Sequence, residues 1–262
     1  MSLRFPLDGA PELSIQVECS GGDKVELWER TAAAWEKMGH EDPYFNVVTS
    51  PDYHLAEFER NQKAFWTVGV LEAERMFAWM DRSSVRPPRP GGTCLEYGCG
   101  VGRVTRGLER HFDKVIACDV SAPYLRLAQA VVSPRTELHL ITTPGTLSAL
   151  PEFDVLFSLI VLQHNPPPVI AFILEALLTK LNYGGLAFFQ VPTLMKDYTF
   201  SVRQYLRDPE KGSLMEMHCL PQRYIFEIAS RCGCRPLEVS QDDRTDSDTH
   251  VSTTFLLIKD QQ

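Results

Sequence analysis

Basic residues are in short supply: 26 lysines and arginines face 34 aspartates and glutamates, giving a formal charge of −8 over 262 residues with histidine neutral. That balance argues against a free-standing nucleic-acid binder, which needs a positive face to meet phosphates. Long hydrophobic runs are missing too. The apolar stretches at 155–162 and 169–178 fall well short of the roughly 20 residues that a membrane span requires. The opening MSLRFPLDGAPELS has no basic start followed by an apolar core, so neither secretion nor a membrane association is expected. The seven cysteines, an odd number scattered between Cys19 and Cys234, lack the arrangement of a disulfide framework and fit reduced thiols in a cytoplasmic protein. Internal repeats and low-complexity tracts are absent as well. What is there, 44% hydrophobic and 23% charged residues, is the composition of an ordinary globular protein with length enough for one large domain.

Helical periodicity dominates the first ninety residues, in DKVELWERTAAAWEKMG and in EFERNQKAFWTVGVLEAERMFAWMDR, with a loop-like stretch between them. The Pro- and Gly-rich segment SSVRPPRPGG at 83–92 then breaks any helix, because proline lacks a backbone donor and restricts the residue before it. From residue 93 short apolar runs alternate with helical patterns: TCLEY, RVTRGLERHF, KVIACDV, APYLRLAQAVV, LHLIT, FDVLFSLIV, PPPVIAFILEALLTKL and LAFFQV. Such alternation predicts a parallel sheet with helices on both faces. An irregular stretch from Pro192 to about Leu220 follows, then a helix in PQRYIFEIASRCG and two strands, RPLEV and HVSTTFLLIKD, able to pair antiparallel. We expect a single domain with three parts: a helical N-terminal extension or lid over 1–92, a cofactor-binding core over 93–192, and a substrate cap with the C-terminal strands over 193–262.

The chemistry is concentrated in Leu95-Glu96-Tyr97-Gly98-Cys99-Gly100-Val101-Gly102-Arg103, which closes a strand and opens a helix. A glycine turn lets backbone come close to a ligand, and the free N–H groups of the helix start can meet its polar parts. A dinucleotide fingerprint needs a small residue three positions after Gly100, where this chain has Arg103, so a nicotinamide-dependent oxidoreductase takes second place. Acids flank the turn: Glu96 ends the first strand and Asp119 ends the next. A carboxylate at such an edge can accept both hydroxyls of a ribose, which makes Asp119 the ribose candidate. The alternative for both acids is the capping of nearby helix N-termini.

These residues resemble the first motif of the class I S-adenosylmethionine-dependent methyltransferases, an acid followed by G-x-G-x-G, matched by Glu96, Gly98, Gly100 and Gly102. Asp119 matches the family's second-strand acid, FDVLFSLIVLQH its fourth strand with Asp154 at the start, and LNYGGLAFFQV its Gly-Gly turn and fifth strand. WEKMG, DPYFNVVT and FWTVG ahead of the motif are similar to bacterial stand-alone methyltransferases that act on small molecules. The resemblance implies a Rossmann-like α/β fold: a seven-stranded, mostly parallel sheet with its last strand antiparallel. It implies S-adenosyl-L-methionine as cofactor, S-adenosyl-L-homocysteine as product and a small-molecule acceptor. Glu96 would lie near the methionine amino group and Asp119 would hold the ribose. Cys99, Val120, Thr143 and Ser158 complete the expected cofactor set, with Thr142 and Leu147 as further wall residues. The fourth strand ends Ser158-Leu159-Ile160-Val161-Leu162-Gln163-His164, not in the Asn/Asp-Pro-Pro-Tyr/Phe used on nucleic-acid bases, which points away from DNA and RNA.

Methyl transfer is an in-line displacement, so positioning supplies much of the gain and a base is optional. For a hydroxyl acceptor His164, just past the fourth strand, is the candidate general base. Its alternative role is to order the loop NPPP. Arg103 is expected at the cofactor carboxylate through its forked donors, the alternative being a solvated residue in the first helical turn. Of the aromatics Trp35, Tyr44, Phe45, Phe65 and Trp66, most are expected to pack the N-terminal helices, with Tyr44 and Trp66 reaching the cofactor. Tyr198, Arg203, Tyr205 and Arg207 are candidates for reading the acceptor. His218, Cys219, Cys232 and Cys234 have no usual zinc spacing, so no metal is expected. A non-catalytic cofactor-binding or scaffold protein remains as a further alternative.

Overall fold

The computed structural model describes residues 14–245 and 247–260; the expectation drawn from the opening of the chain falls on residues 1–13, outside this range. The chain begins with α1 (Gly21–Glu41), whose N-cap Ser20 accepts a hydrogen bond from the Asp23 backbone at 3.1 Å. The short α2 (Pro43–Asn46) and a 3-10 turn (Pro51–Tyr53) lead into the long α3 (Leu55–Arg82). There follow β1 (Thr93–Tyr97), α4 (Thr105–Leu108), β2 (Lys114–Asp119), α5 (Ala122–Gln129), β3 (Glu137–Leu140), α6 (Pro144–Ser148), β4 (Phe153–Ser158), α7 (Pro167–Lys180) and β5 (Leu181–Met195). The last part holds α8 (Val202–Arg207), α9 (Gln222–Arg231), β6 (Cys234–Asp242) and β7 (His250–Lys259).

The seven strands lie in the order β3-β2-β1-β4-β5-β7-β6, and β7 runs antiparallel to both its neighbours. The central strands read as unbroken apolar runs because both faces are covered: all six residues of β4 are buried. On one face Leu95, Ile116 and Phe189 meet Ile173 and Leu177 of α7, Ile225 of α9 and Trp28 of α1. On the other, Val115, Phe157 and Phe188 meet Met76 and Met80 of α3 and Leu108 of α4. β3, at the edge, is half exposed. α4 is shorter than RVTRGLERHF suggests. After Leu108 the bonds tighten to three-residue steps, Arg110 N to Gly107 O and His111 N to Leu108 O, and the helix stops.

Arg30 of α1 ties the N-terminal helix to the far end of the chain, its guanidinium donating to the backbone carbonyls of Tyr205, Leu206 and Asp208 at 3.2, 2.7 and 2.8 Å. The proline-rich segment is fastened to the opposite edge of the sheet. There Arg89 forks onto both oxygens of the buried Asp154 at 2.8–3.2 Å, and the Thr93 backbone and Asn182 side chain donate to the same carboxylate at 2.8 Å each. Burial raises the carboxyl pKa, but the Thr93, Arg89 and Asn182 donors outweigh it and hold the group below its usual value. The stabilisation is complete at neutral pH and lost as the pH falls through the native pKa. Because Asp154→Ala strands these donors, it should cost about 3 kcal/mol, read as a lower midpoint in urea with an unchanged slope. A midpoint equal to the wild type would disprove the clasp. Among the described residues no helix is long and apolar enough to cross a membrane.

Candidate active site

At the carboxyl edge of the sheet, the ends of β1, β2 and β4 open into a cavity of about 420 Å³. The turn after β1 forms its floor. Gly98 sits at φ +79°, and a Cβ there would fall 2.4 Å from the Val161 side chain, so only glycine fits. A Cβ at Gly100 would come within 3.0 Å of Val47, which shows how closely the segment after α2 lies over the turn.

Glu96 is buried and accepts from the Thr105 hydroxyl at 2.5 Å. Burial pushes its carboxyl up to about 8, against the Thr105 bond and the Arg103 charge. Asp119 is buried too, its two oxygens accepting from the backbone N–H groups of Gly100 at 2.8 Å and Ser121 at 2.9 Å. These donors offset the desolvation only in part, and the group lies at about 6. It thus ties two loops together while lining the cavity. Arg103 lines it as well and is no solvated residue: burial lowers its pKa, and its guanidinium lies over the Phe65 ring at 5.6 Å. Among the described residues Arg103 has no carboxylate at ion-pair distance.

His164, buried at the end of the 3-10 turn that follows β4, has its Nδ1 2.9 Å from the Glu216 carbonyl. A carbonyl only accepts, so Nδ1 carries the proton and Nε2 keeps its lone pair, 3.4 Å from the Gln163 amide nitrogen. Burial lowers the imidazole to about 4, leaving it neutral in the working range. The following loop is closed by another residue, Asn165, whose amide donates to the Val161 carbonyl at 3.1 Å.

Cys99, Val120, Gly98 and Gly100 also line the cavity. Other expected residues lie away from it. Ser158 donates inside the sheet to the Tyr97 carbonyl at 2.9 Å. Thr143 is exposed and caps α6 through a reciprocal pair with Thr146, with Thr142 exposed beside it and Leu147 in the core. Gly102 faces Val131 and Val132 after α5. Tyr44 is stacked on Phe58 with centroids 3.5 Å apart, and Trp66, in the middle of α3 and not at its start, packs against Phe65 and under Arg106. Their aromatic neighbours hold both away from the cavity. Tyr198 and Tyr205 bond within the cap, to His218 at 2.6 Å and Glu216 at 2.8 Å, while Arg203 and Arg207 are exposed. Among the described residues no cluster of three metal-ligating side chains occurs.

Several lining residues escape sequence reasoning: Trp35 from α1, Val47 and Val48 after α2, Tyr124 from α5, Met215 and Met217 from the cap, and Arg244 between β6 and β7. The Tyr124 hydroxyl is buried without a hydrogen-bond partner, a polar atom that a ligand can satisfy.

A glycine turn closing β1 and an acid closing β2, at the carboxyl edge of a seven-stranded sheet with an antiparallel strand, define an α/β enzyme that binds a nucleoside-type ligand. Residues 94–185 match the methyltransferase domain family. In structure the chain is similar to magnesium protoporphyrin IX methyltransferase from Synechocystis PCC 6803 with bound S-adenosylhomocysteine, at a TM-score of 0.59 and 15% identity, over 88% of this chain and 99% of that one. The same protein with bound S-adenosylmethionine gives 0.58 and 14%, over 92% and 99%. An S-adenosylmethionine-dependent methyltransferase from Clostridium acetobutylicum ATCC 824 gives 0.52 and 14%, over 72% and 91%. No curated protein sequence matches the chain significantly. Residues 94–185 thus form a methyltransferase domain, and the chain shares its fold with S-adenosylmethionine-dependent methyltransferases.

Proposed function

We propose that this enzyme methylates a hydroxyl group of a small-molecule acceptor, with His164 as the general base. The observation that carries the reading is the neutral imidazole on the cavity wall, its Nδ1–H spent on the Glu216 carbonyl and its Nε2 lone pair met by the Gln163 amide nitrogen at 3.4 Å, a long contact that an acceptor hydroxyl can replace. Asp119 accepts the ribose hydroxyls, Arg103 pairs with the methionine carboxylate, Glu96 receives the amino group, and Tyr124 donates to the ligand. The burial of Glu96 and Asp119, the lack of an ion-pair partner for Arg103 among the described residues, and the unpartnered Tyr124 hydroxyl support the assignment. When bound, the cofactor supplies an electrophilic methyl group. As the acceptor oxygen takes up that methyl and S-adenosylhomocysteine leaves, His164 Nε2 would receive the hydroxyl proton. In this reading residues 1–92 cover the cofactor, 93–192 hold it, and 193–262 close the acceptor side.

Incubation with S-adenosylmethionine and a panel of alcohols, phenols, amines and carbon acids tests the proposal. Mass spectrometry should find the methyl on oxygen; methylation confined to nitrogen or carbon would refute it.

Glu96 adds a pH signature. Uncharged at pH 7 in the free protein, it ionises beside an ammonium group, so binding S-adenosylhomocysteine releases a proton. Affinity should then climb between pH 6 and about 8, by up to about tenfold per unit. Titration calorimetry in buffers of different ionisation enthalpy reads the proton directly, and Glu96→Gln should remove it. In the free protein the raised pKa has the opposite effect, stability falling as the pH climbs from the unfolded value towards about 8.

A further inference from the structure

The cavity is chemically divided. Its charged side chains lie towards β1, β2 and α3: Glu96, Arg103, Asp119 and Arg244, the last already neutralised by Glu72, onto which its guanidinium donates at 2.5 Å. Among the described residues that line the cavity, the side around His164 carries no such charge. Met215 and Met217 flank Glu216, whose carbonyl holds His164, and both line the cavity. Trp35 enters from α1, its ring centroid 5.0 Å from that of His164 and the planes inclined by 65°. The Asn165 amide nitrogen and the Gln163 amide oxygen on this side are already engaged, by the Val161 carbonyl and by Gln190.

An indole and two thioethers make a polarisable wall that favours aromatic rings over saturated ones. A carboxylate or ammonium placed there loses its hydration and finds no opposite charge. The His164 Nε2 lone pair, met by the Gln163 amide nitrogen at 3.4 Å, is an acceptor whose long contact a ligand hydroxyl can replace. We infer that the acceptor is an uncharged, flat aromatic ring bearing a hydroxyl, held between Trp35 and the Met215–Met217 pair with that hydroxyl at His164. The inference rests on the methyltransferase reading above and narrows it to a substrate class.

Calorimetric titrations test it in two stages. The whole protein is first titrated with S-adenosylhomocysteine, and the saturated complex then with 2-naphthol, 6-hydroxy-2-naphthoate and decahydro-2-naphthol. The expected result is 2-naphthol binding at least about tenfold tighter than either of the others. Trp35→Ala and Met217→Ala should each weaken 2-naphthol by about tenfold. In both variants S-adenosylhomocysteine affinity should stay within about twofold of wild type, which also shows that they fold. The inference is overturned if the naphthoate or the saturated alcohol binds as well as 2-naphthol, if no probe binds the saturated complex, or if Trp35→Ala leaves 2-naphthol unaffected. A wild-type protein that does not bind S-adenosylhomocysteine in the first stage defeats the cofactor assignment itself, a result distinct from failure at the acceptor stage.

Discussion

Asp119→Ala should reduce the affinity for S-adenosylhomocysteine by at least about a hundredfold, since two hydrogen bonds to a charged acceptor are lost together. The geometry makes the effect larger than ribose contact alone requires. The same carboxylate holds the backbone N–H groups of Gly100 and Ser121 at 2.8 and 2.9 Å, so its removal loosens the glycine turn on which the ligand rests. Asp119→Asn keeps an acceptor oxygen but loses the charge and one acceptor site, and should fall between the two. Titration calorimetry measures the loss, with the far-ultraviolet circular dichroism melt as the check on folding. An Asp119→Ala protein that folds and binds with wild-type affinity would show that the carboxylate only ties the two loops together.

His164→Ala should lower kcat by about a hundredfold to ten-thousandfold, the range of a lost general base. Its affinity for S-adenosylhomocysteine should hardly move, because the proposal places His164 at the acceptor end. The pH profile sharpens the test. With the imidazole at about 4, no loss of rate between pH 5 and 8 belongs to His164; a fall on the acid side near 6 belongs to Asp119. Single-turnover rates in the wild type and variant separate these groups. Unchanged kcat in His164→Ala would leave positioning as the whole of the catalytic effect.

The two proposed cofactor acids and the glycine turn were legible in the sequence because they are local: a strand end and the turn that follows carry their own signature. The alternation of strands and helices, and the antiparallel pairing of β6 with β7, were legible for the same reason. The other wall of the cavity is not local. Trp35 looks like any apolar residue on an amphipathic helix, and Met215 lies far beyond it in sequence; packing of α1 and the cap around His164 brings them to one cavity. Tyr44 and Trp66 mislead in the converse way. Their positions near a loop and before the sheet suggest reach, but stacking on Phe58 and Phe65 satisfies them first. Ser158 fails because a polar side chain at a strand end can find a carbonyl in the neighbouring strand, which sequence spacing does not reveal.

The Arg30 clasp sets a timetable for the ribosome. α1 is synthesised well before its anchor, because the carbonyls that hold it lie 175–178 residues further along the chain. Contacts of such separation close late, after loop entropy has been overcome. A nascent chain stopped before Tyr205 lacks both the anchor for α1 and the methionines Met215 and Met217 that line the cavity. Such a fragment has the floor of the cavity and no enclosure. Closure of the cavity therefore waits on the segment that runs from Tyr205 to Met217.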